Sequence, residues 1–253
     1  MASRAHLPAY LDRIRYTGPT TANSETLRAI HRAHMLAVPF ENLDIPLKRP
    51  ILVAEEAFLR KIVERRRGGF CYEINGAFAA LLRELGFQVT LLSARVPRDD
   101  GSASPEFDHL TLRVDLDEPW LADVGFGDCF LEPLRLQAGV EQAQDGRHYR
   151  IVPSDESLEL ERTELDGFWK KQYRFTLQPR RLADFAPMCH YHQTSPESPF
   201  TRKRLCTLAT PDGRITLADM KLIVTQNGKK QERLLHSEEE WQATLRETFG
   251  VLL

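Results

Sequence analysis

Residues 65–87 read RRRGGFCYEINGAFAALLRELGF, and the rest of the chain is best understood outward from this stretch. Ile74, Ala77, Phe78, Leu81, Leu82 and Leu85 recur every three or four residues, the period of a helix with one apolar face. Gly86 can supply the left-handed C-terminal stop, so the pattern predicts a helix from about Cys71. Cys71 then stands at the helix N-terminus, where free amides and the positive dipole end favour an anion, and Arg65, Arg66 and Arg67 add positive charge. A depressed thiol pKa is the expectation. Gly68 and Gly69 permit a close backbone approach, which would leave room over the sulfur for a substrate carbonyl. Position alone leaves both readings open, a nucleophile and a buried structural thiol.

Before this stretch the signals are helical. Leu7, Tyr10, Leu11 and Ile14 have helical spacing, as do Leu27, Ile30 and His34 after a cap at Asn23 or Ser24, and another helix is expected over 54–65. After it the pattern turns extended. QVTLLSARV, ended by Pro97, reads as a buried strand, followed by a loop over 98–108. HLTLRVDL alternates, with Leu110, Leu112, Val114 and Leu116 on one face and His109, Thr111, Arg113 and Asp115 on the other. Asp117, Glu118 and Pro119 make a turn, and WLADVGF returns as a strand. Further strands are expected over 148–153, 158–163, 168–177, 205–210 and 215–224, with 137–145 a surface loop. A last helix opens at Ser237, whose spacing to Glu240 fits a capping box. The order is helices, then an antiparallel sheet or barrel, then a small mixed end.

Composition narrows the function. The 253 residues suffice for one large domain or a few subdomains around a shared core. Thirty-four basic side chains nearly balance 36 acidic ones, a net charge of -2 that predicts neither nucleic-acid nor membrane-surface binding. No run has the length of a signal core or a spanning helix, so a cytoplasmic location is expected. Cys71, Cys129, Cys189 and Cys206 form no CxxC pair, which points to no metal site. The last three read as small buried hydrophobes.

Thiol chemistry needs a base and a group that orients the base. If the turn centres near Asp117, His109 and Asp123 lie an even number of residues on either side and become diagonal neighbours on one face of a hairpin. A carboxylate could then hold one imidazole nitrogen and leave the other facing the thiol. Surface histidine and turn-forming aspartate are the alternative readings, and spacing alone does not bring Cys71 to the hairpin.

In these residues the chain resembles the arylamine N-acetyltransferases. Residues 65–87 match that family's signature, in which Arg-Gly-Gly, an aromatic, Cys, and then aromatic-Glu-x-Asn run together. HRAHMLAVPFENLDI (31–45), DHLTLRVDL (108–116), LADVGFG (121–127) and the segment 173–206, in the form of bacterial members, agree in order and spacing. The resemblance implies an α+β chain with an N-terminal helical bundle (1–86), a central antiparallel β-barrel (87–190) and a C-terminal α/β lid (191–253). It implies a Cys71, His109, Asp123 triad and acetyl transfer from acetyl-CoA, through a Cys71 thioester, to arylamines, arylhydrazines and N-hydroxyarylamines. Phe40, Phe70, Val96 and Phe126 would line the acceptor pocket, with hairpin core the other reading of Phe126, and Gly127 would let the pantetheine of CoA pass. Glu41 and Arg67 match family positions and are expected to pair in support of the Cys71 loop, while Arg202, Lys203 and Arg204 read as a solvated face. The small-molecule amine and CoA are the expected partners, and the sequence is silent on oligomeric state. Cys189, His190 and Tyr191 depart from the Asn and aromatic pair often found there, which touches the lid side of the pocket. The competing functions are an amide synthase with another acyl donor, a cysteine hydrolase with the same triad, and a binding module without chemistry.

Overall fold

The computed structural model describes residues 6–98, 100–163 and 167–253, so the first five residues of the expected bundle and one position of the expected 98–108 loop lie outside the described residues. The helical third comprises α1 (Leu7–Arg13), α2 (Ser24–Ala37), α3 (Glu55–Leu59) and α4 (Cys71–Glu84). Asn23 caps α2 by accepting the Thr26 N–H at 2.8 Å. The helix expected over 54–65 is only half α-helical, because Arg60–Glu64 widens into one π turn that turns Lys61 inward. Gly86 ends α4 with φ 91°, as its left-handed role requires. A short β1 (Phe40–Glu41) leaves this third altogether and pairs with a strand near the other end of the chain.

The middle of the chain is one eight-stranded antiparallel sheet curled into a nearly closed barrel. Its strands are β2 (Gln88–Arg95), β3 (His109–Asp115), β4 (Pro119–Ala122), β5 (Leu134–Arg135), β6 (Glu141–Gln144), β7 (Arg147–Ser154), β8 (Ser157–Thr163) and β9 (Trp169–Phe175), in the order β5-β4-β3-β2-β9-β8-β7-β6. Closure between the edges β5 and β6 is made by side chains. The Gln142 amide bonds both N–H and C=O of Arg135 at 2.8 and 3.0 Å, and the Gln144 amide does the same to Glu132 at 3.0 and 2.8 Å. The expected surface loop over 137–145 therefore contains a strand. Asp145-Gly146, with φ 48° and 77°, is the two-residue turn that starts its hairpin.

The last third holds α5 (Ala186–Thr194), α6 (Pro199–Arg202), the strands β10 (Leu205–Thr210), β11 (Gly213–Ala218), β12 (Lys221–Gln226) and β13 (Lys229–Leu234), and α7 (Glu238–Phe249). The single strand expected over 215–224 is two strands hinged at Asp219-Met220. These strands extend β1 in the order β1-β10-β11-β12-β13. Ser237 caps α7 through the Glu240 N–H, but the Glu240 carboxylate accepts from the His236 N–H, so only half of the capping box forms. Of the expected boundaries, 86 falls between α4 and β2 and 190 falls inside α5. Among the described residues no helix is long and apolar enough to cross a membrane.

Three apolar clusters hold the fold together. The largest wraps α4, where Ile74, Ala77, Phe78 and Leu82 have no accessible surface, and receives Leu110, Leu112 and Val114 from β3. A second fills the barrel around Tyr173 and Phe175. β3 is thus buried on both faces at its start, with the leucines against α4 and His109 and Thr111 toward the barrel interior. The third seats Trp241 of α7 on the terminal sheet.

Candidate active site

The start of α4 is fixed by buried charge. Glu73, at the third position of the helix, accepts the Phe70 N–H at 3.2 Å and holds Lys61 Nζ with both oxygens at 2.8 and 3.0 Å. Lys61 also lies 2.8 Å from Asp44, and Arg67 joins Asp44 (3.0 Å) to Glu41 (2.7 Å). The expected Glu41–Arg67 pair is therefore one edge of a five-residue cluster. Burial opposes the Lys61 charge, but Glu73, Glu41 and Asp44 outweigh it and hold the ammonium proton more firmly than usual. Lys61→Met would leave three buried carboxylates facing one guanidinium. We expect a loss of about 3–5 kcal/mol of stability, read as a fall in thermal and denaturant midpoints, because one partner of a buried pair is stranded. A variant as stable as the parent would mean the cluster contributes no net support.

His109 opens β3, and Asp123 follows the last residue of β4. The register Leu112↔Ala122 through Asp115↔Pro119, continued one step, sets Asp123 opposite Thr111, two residues from His109. This is the diagonal the sequence predicts, and His109 Nε2 lies 2.6 Å from Asp123 Oδ2. Asp123 has no accessible surface. Burial disfavours its charge, yet His109 and the hydrogen bonds from Asn75 Nδ2 (2.9 Å) and the Gly125 N–H (2.9 Å) hold the carboxyl below its ordinary range. His31 accepts the Asp123 N–H through Nε2 (3.1 Å) and must donate from Nδ1 to the Leu131 carbonyl (2.7 Å). Burial pushes its pKa down to about 4, which agrees with a neutral imidazole in that tautomer.

Asn75 ties the hairpin to the nucleophile helix. It lies one turn beyond Cys71, donates to Asp123 Oδ1 and to the Leu110 carbonyl (2.6 Å), and accepts the Val124 N–H (3.0 Å). Gly125 completes the contact, since a Cβ there would come within 2.5 Å of Asn75 Nδ2 and 3.0 Å of Cys71 Cα. Sequence reasoning assigned neither residue a role, although Asn75 carries a readable signal: it shares a helix face with Cys71 at i+4.

Cys71 is 3 % exposed, with Sγ 4.0 Å from the Asp108 carbonyl, one residue before His109. Here the structure corrects the expected depressed pKa. Burial pushes the thiol well up, and the nearby carboxylates of Asp108 and Asp123 push the same way. A lone thiolate is therefore disfavoured, and the sulfur can ionise by passing its proton to an imidazole. With Nε2 of His109 committed to Asp123, Nδ1 is the nitrogen able to take it. The glycine expectation changes too. A Cβ on Gly68 would meet the Pro39 carbonyl oxygen at 2.0 Å, and one on Gly69 would meet Glu73 at 2.7 Å, so these residues serve close packing and not room for substrate.

The pocket candidates belong to two neighbouring apolar clusters. Half-buried Phe126 stands edge-on to the His109 ring at 5.1 Å, with Tyr173 5.0 Å away, and Val96 packs on the same barrel cluster. Phe40 and Phe70 belong to the cluster around α4 and share Phe200, at 6.2 and 5.7 Å. Phe70 has no accessible surface. Gly127 has φ 85° and lies close to Phe40. Its neighbour Asp128 draws together Arg147 (2.8 Å), Arg162 (3.2 Å) and Arg214 (3.2 Å) beside the loop. Arg204 is spent on Glu238 and the Trp241 ring, and Arg202 on Pro196 and Glu197. Cavities of about 300 Å³ near Arg13 and Phe249 and about 120 Å³ near Lys61 touch none of Cys71, His109 and Asp123, so convergent chemistry and not cavity volume marks the site.

A protein-family model described as N-acetyltransferase matches residues 23–253. The chain is 35% identical over 246 residues to an arylamine N-acetyltransferase of Escherichia coli (strain K12), covering 96% of this chain and 87% of that one. It is 35% identical over 231 residues to an arylamine N-acetyltransferase / N-hydroxyarylamine O-acetyltransferase of Salmonella typhimurium, covering 90% and 82%. It is 30% identical over 243 residues to proansamycin X synthase of Amycolatopsis mediterranei, covering 92% and 93%. Among solved structures, the arylamine N-acetyltransferase from Salmonella typhimurium superposes with a TM-score of 0.93 at 33% identity, covering 98% of this chain and 91% of that one. That from Mycobacterium marinum in complex with CoA gives 0.91 at 33%, covering 97% and 92%.

Proposed function

The chain belongs to the arylamine N-acetyltransferase family, and on that premise we propose that it carries an acetyl group from acetyl-CoA to an arylamine through a thioester on Cys71. One observation carries the reading: a buried carboxylate, Asp123, holds His109 at 2.6 Å through Nε2, and the residue before His109, Asp108, has its carbonyl 4.0 Å from Cys71 Sγ, a thiol that burial disfavours ionising alone. Cys71 passes its proton to Nδ1 of His109 and attacks the donor thioester, exchanging one thioester for another at little thermodynamic cost. CoA leaves with that proton. The amine then attacks acetyl-Cys71 while His109 acts as general base, and Asp123 keeps the ring oriented in both steps.

Phe126, Val96 and Phe40 supply an apolar lining for a flat aromatic acceptor, with Phe200 added to the group and Phe70 as its backing. The close approach possible at Gly127 and the guanidinium groups of Arg147 and Arg214 gathered at Asp128 favour the pantetheine and phosphates of CoA. Arylhydrazines and N-hydroxyarylamines present equivalent nucleophiles to the same thioester, and a Salmonella relative is named for the O-transfer. The similarity to a synthase favours one second reading, amide formation from another acyl donor.

Intact-mass measurement after mixing the protein with acetyl-CoA and no acceptor separates the two. We expect one acetyl group per chain, discharged when an arylamine is added. A Cys71 that alkylates rapidly yet takes no acetyl group would move the assignment to the second reading.

A further inference from the structure

His192 of α5 and Asp108, the residue before His109, form a second histidine and carboxylate pair against the nucleophile. Phe107 holds a left-handed backbone, φ 67°, which is costly for an aromatic residue. It is pinned by the Ser93 hydroxyl on its N–H (2.7 Å), by the edge of Phe185 and by Arg180, itself paired with Glu106. From there the chain enters β3, where successive side chains point to opposite sides. His109 turns to Asp123, while Asp108 turns to His192, whose Nε2 stands 3.1 Å from Asp108 Oδ1 at ion-pair distance without hydrogen-bond alignment. His192 is 3 % exposed. Its Nδ1 meets Ser198 Oγ at 3.1 Å, and its ring is walled by Tyr72, Tyr191 and Phe200. Of the groups facing it, Asp108 is the charged one. Asp108 in turn presents its carbonyl to Cys71 Sγ at 4.0 Å and to the Tyr72 hydroxyl at 3.1 Å.

We propose that His192 and Asp108 form an electrostatic pair that sets how readily Cys71 becomes a thiolate, His192 acting as a positioning residue whose charge cancels that of Asp108 beside the sulfur. Asp123, the other carboxylate near Cys71, already has His109 as its partner. Among the described residues Asp108 has His192 for this purpose, and its unbalanced carboxylate charge opposes ionisation of the nucleophile. Because His192 is carried by α5, whose Cys189 packs into the cluster around α4, docking of that helix also switches on the cancellation. This inference rests on Cys71 being the nucleophile of the proposed reaction.

The test is the rate of Cys71 alkylation by iodoacetamide, an uncharged probe, followed against pH. His192→Gln removes the cation and should lower the rate near neutrality about tenfold, moving the midpoint up by about one pH unit. His192→Gln combined with Asp108→Asn removes both charges and should return the rate to within about threefold of wild type. A purely structural His192 would show no such rescue. Equal losses in the single and double variants, or an unmoved midpoint in His192→Gln, would overturn the proposal. If the single variant does not fold, the double decides: near-wild-type alkylation supports the pair, and a tenfold loss or failure to fold overturns it. Wild-type protein whose Cys71 alkylates no faster than a free thiol would instead sink the proposed function.

Discussion

Cys71→Ser protein is expected to accept no acetyl group from acetyl-CoA and to lose about 10⁶-fold in arylamine turnover, the scale at which a nucleophile is removed from a coupled triad. The reason is chemical and not steric. A serine hydroxyl occupies nearly the same volume beside the Asp108 carbonyl, so the unfolding midpoint should hardly move. It is, however, far less acidic than a thiol, and in a site where burial already resists an anion His109 cannot activate it enough. An oxygen ester would also release its acyl group to an amine more slowly than a thioester does. The other thiols offer no substitute. Burial pushes Cys129 and Cys206 well up and Cys189 up to about 12, and Cys189 is further engaged by the Gln193 amide at 3.4 Å. Intact mass and peptide mapping after exposure to acetyl-CoA provide the check. Acetylation of the variant at the wild-type rate, or at any of these three cysteines, would end the assignment of Cys71.

What the sequence made legible was what depends on local period and turn chemistry. The apolar face of α4 shows as a stripe, and the β3–β4 hairpin centres where Asp117, Glu118 and Pro119 predict, so the His109–Asp123 diagonal follows from counting. The strand β6 was hidden because its edges bond through backbone and glutamine amides and bury little apolar surface; its readable mark was the Asp145-Gly146 turn, repeated as Asn227-Gly228 between β12 and β13. The charge cluster was hidden for another reason. Lys61, Asp44 and Glu73 are residue types that ordinarily face water, and only the π turn and the path of β1 bring them under the Cys71 loop. Likewise the helix start predicts a favourable place for an anion, yet the burial of Cys71 pushes its thiol up instead. A helix terminus stabilises charge modestly, whereas desolvation of a fully buried group shifts its pKa by up to several units.

Asp123→Asn is expected to lower kcat/KM by about 10⁴-fold while leaving the fold intact, and the hydrogen bonds around the carboxylate say why. Oδ1 accepts from Asn75 Nδ2 and from the Gly125 N–H, so an asparagine must keep its carbonyl oxygen there. Its NH₂ then replaces Oδ2 and points at His109 Nε2, 2.6 Å away in the parent. Two donors cannot face each other. His109 must give up the Nε2 proton and carry it on Nδ1 instead, the nitrogen that should receive the proton of Cys71. The base is left in the wrong tautomer, and its protonated form has lost the carboxylate that stabilised it. Cys71 alkylation near neutral pH should slow as well, which separates this effect from weaker substrate binding, and KM should change little beside kcat. Asp123→Glu sorts charge from geometry. It keeps an acceptor for Nε2 but forces an extra methylene into a site with no accessible surface, so it should retain more activity than asparagine and lose more stability. Near-wild-type kcat and alkylation in Asp123→Asn would show that His109 does not depend on this carboxylate for its tautomer.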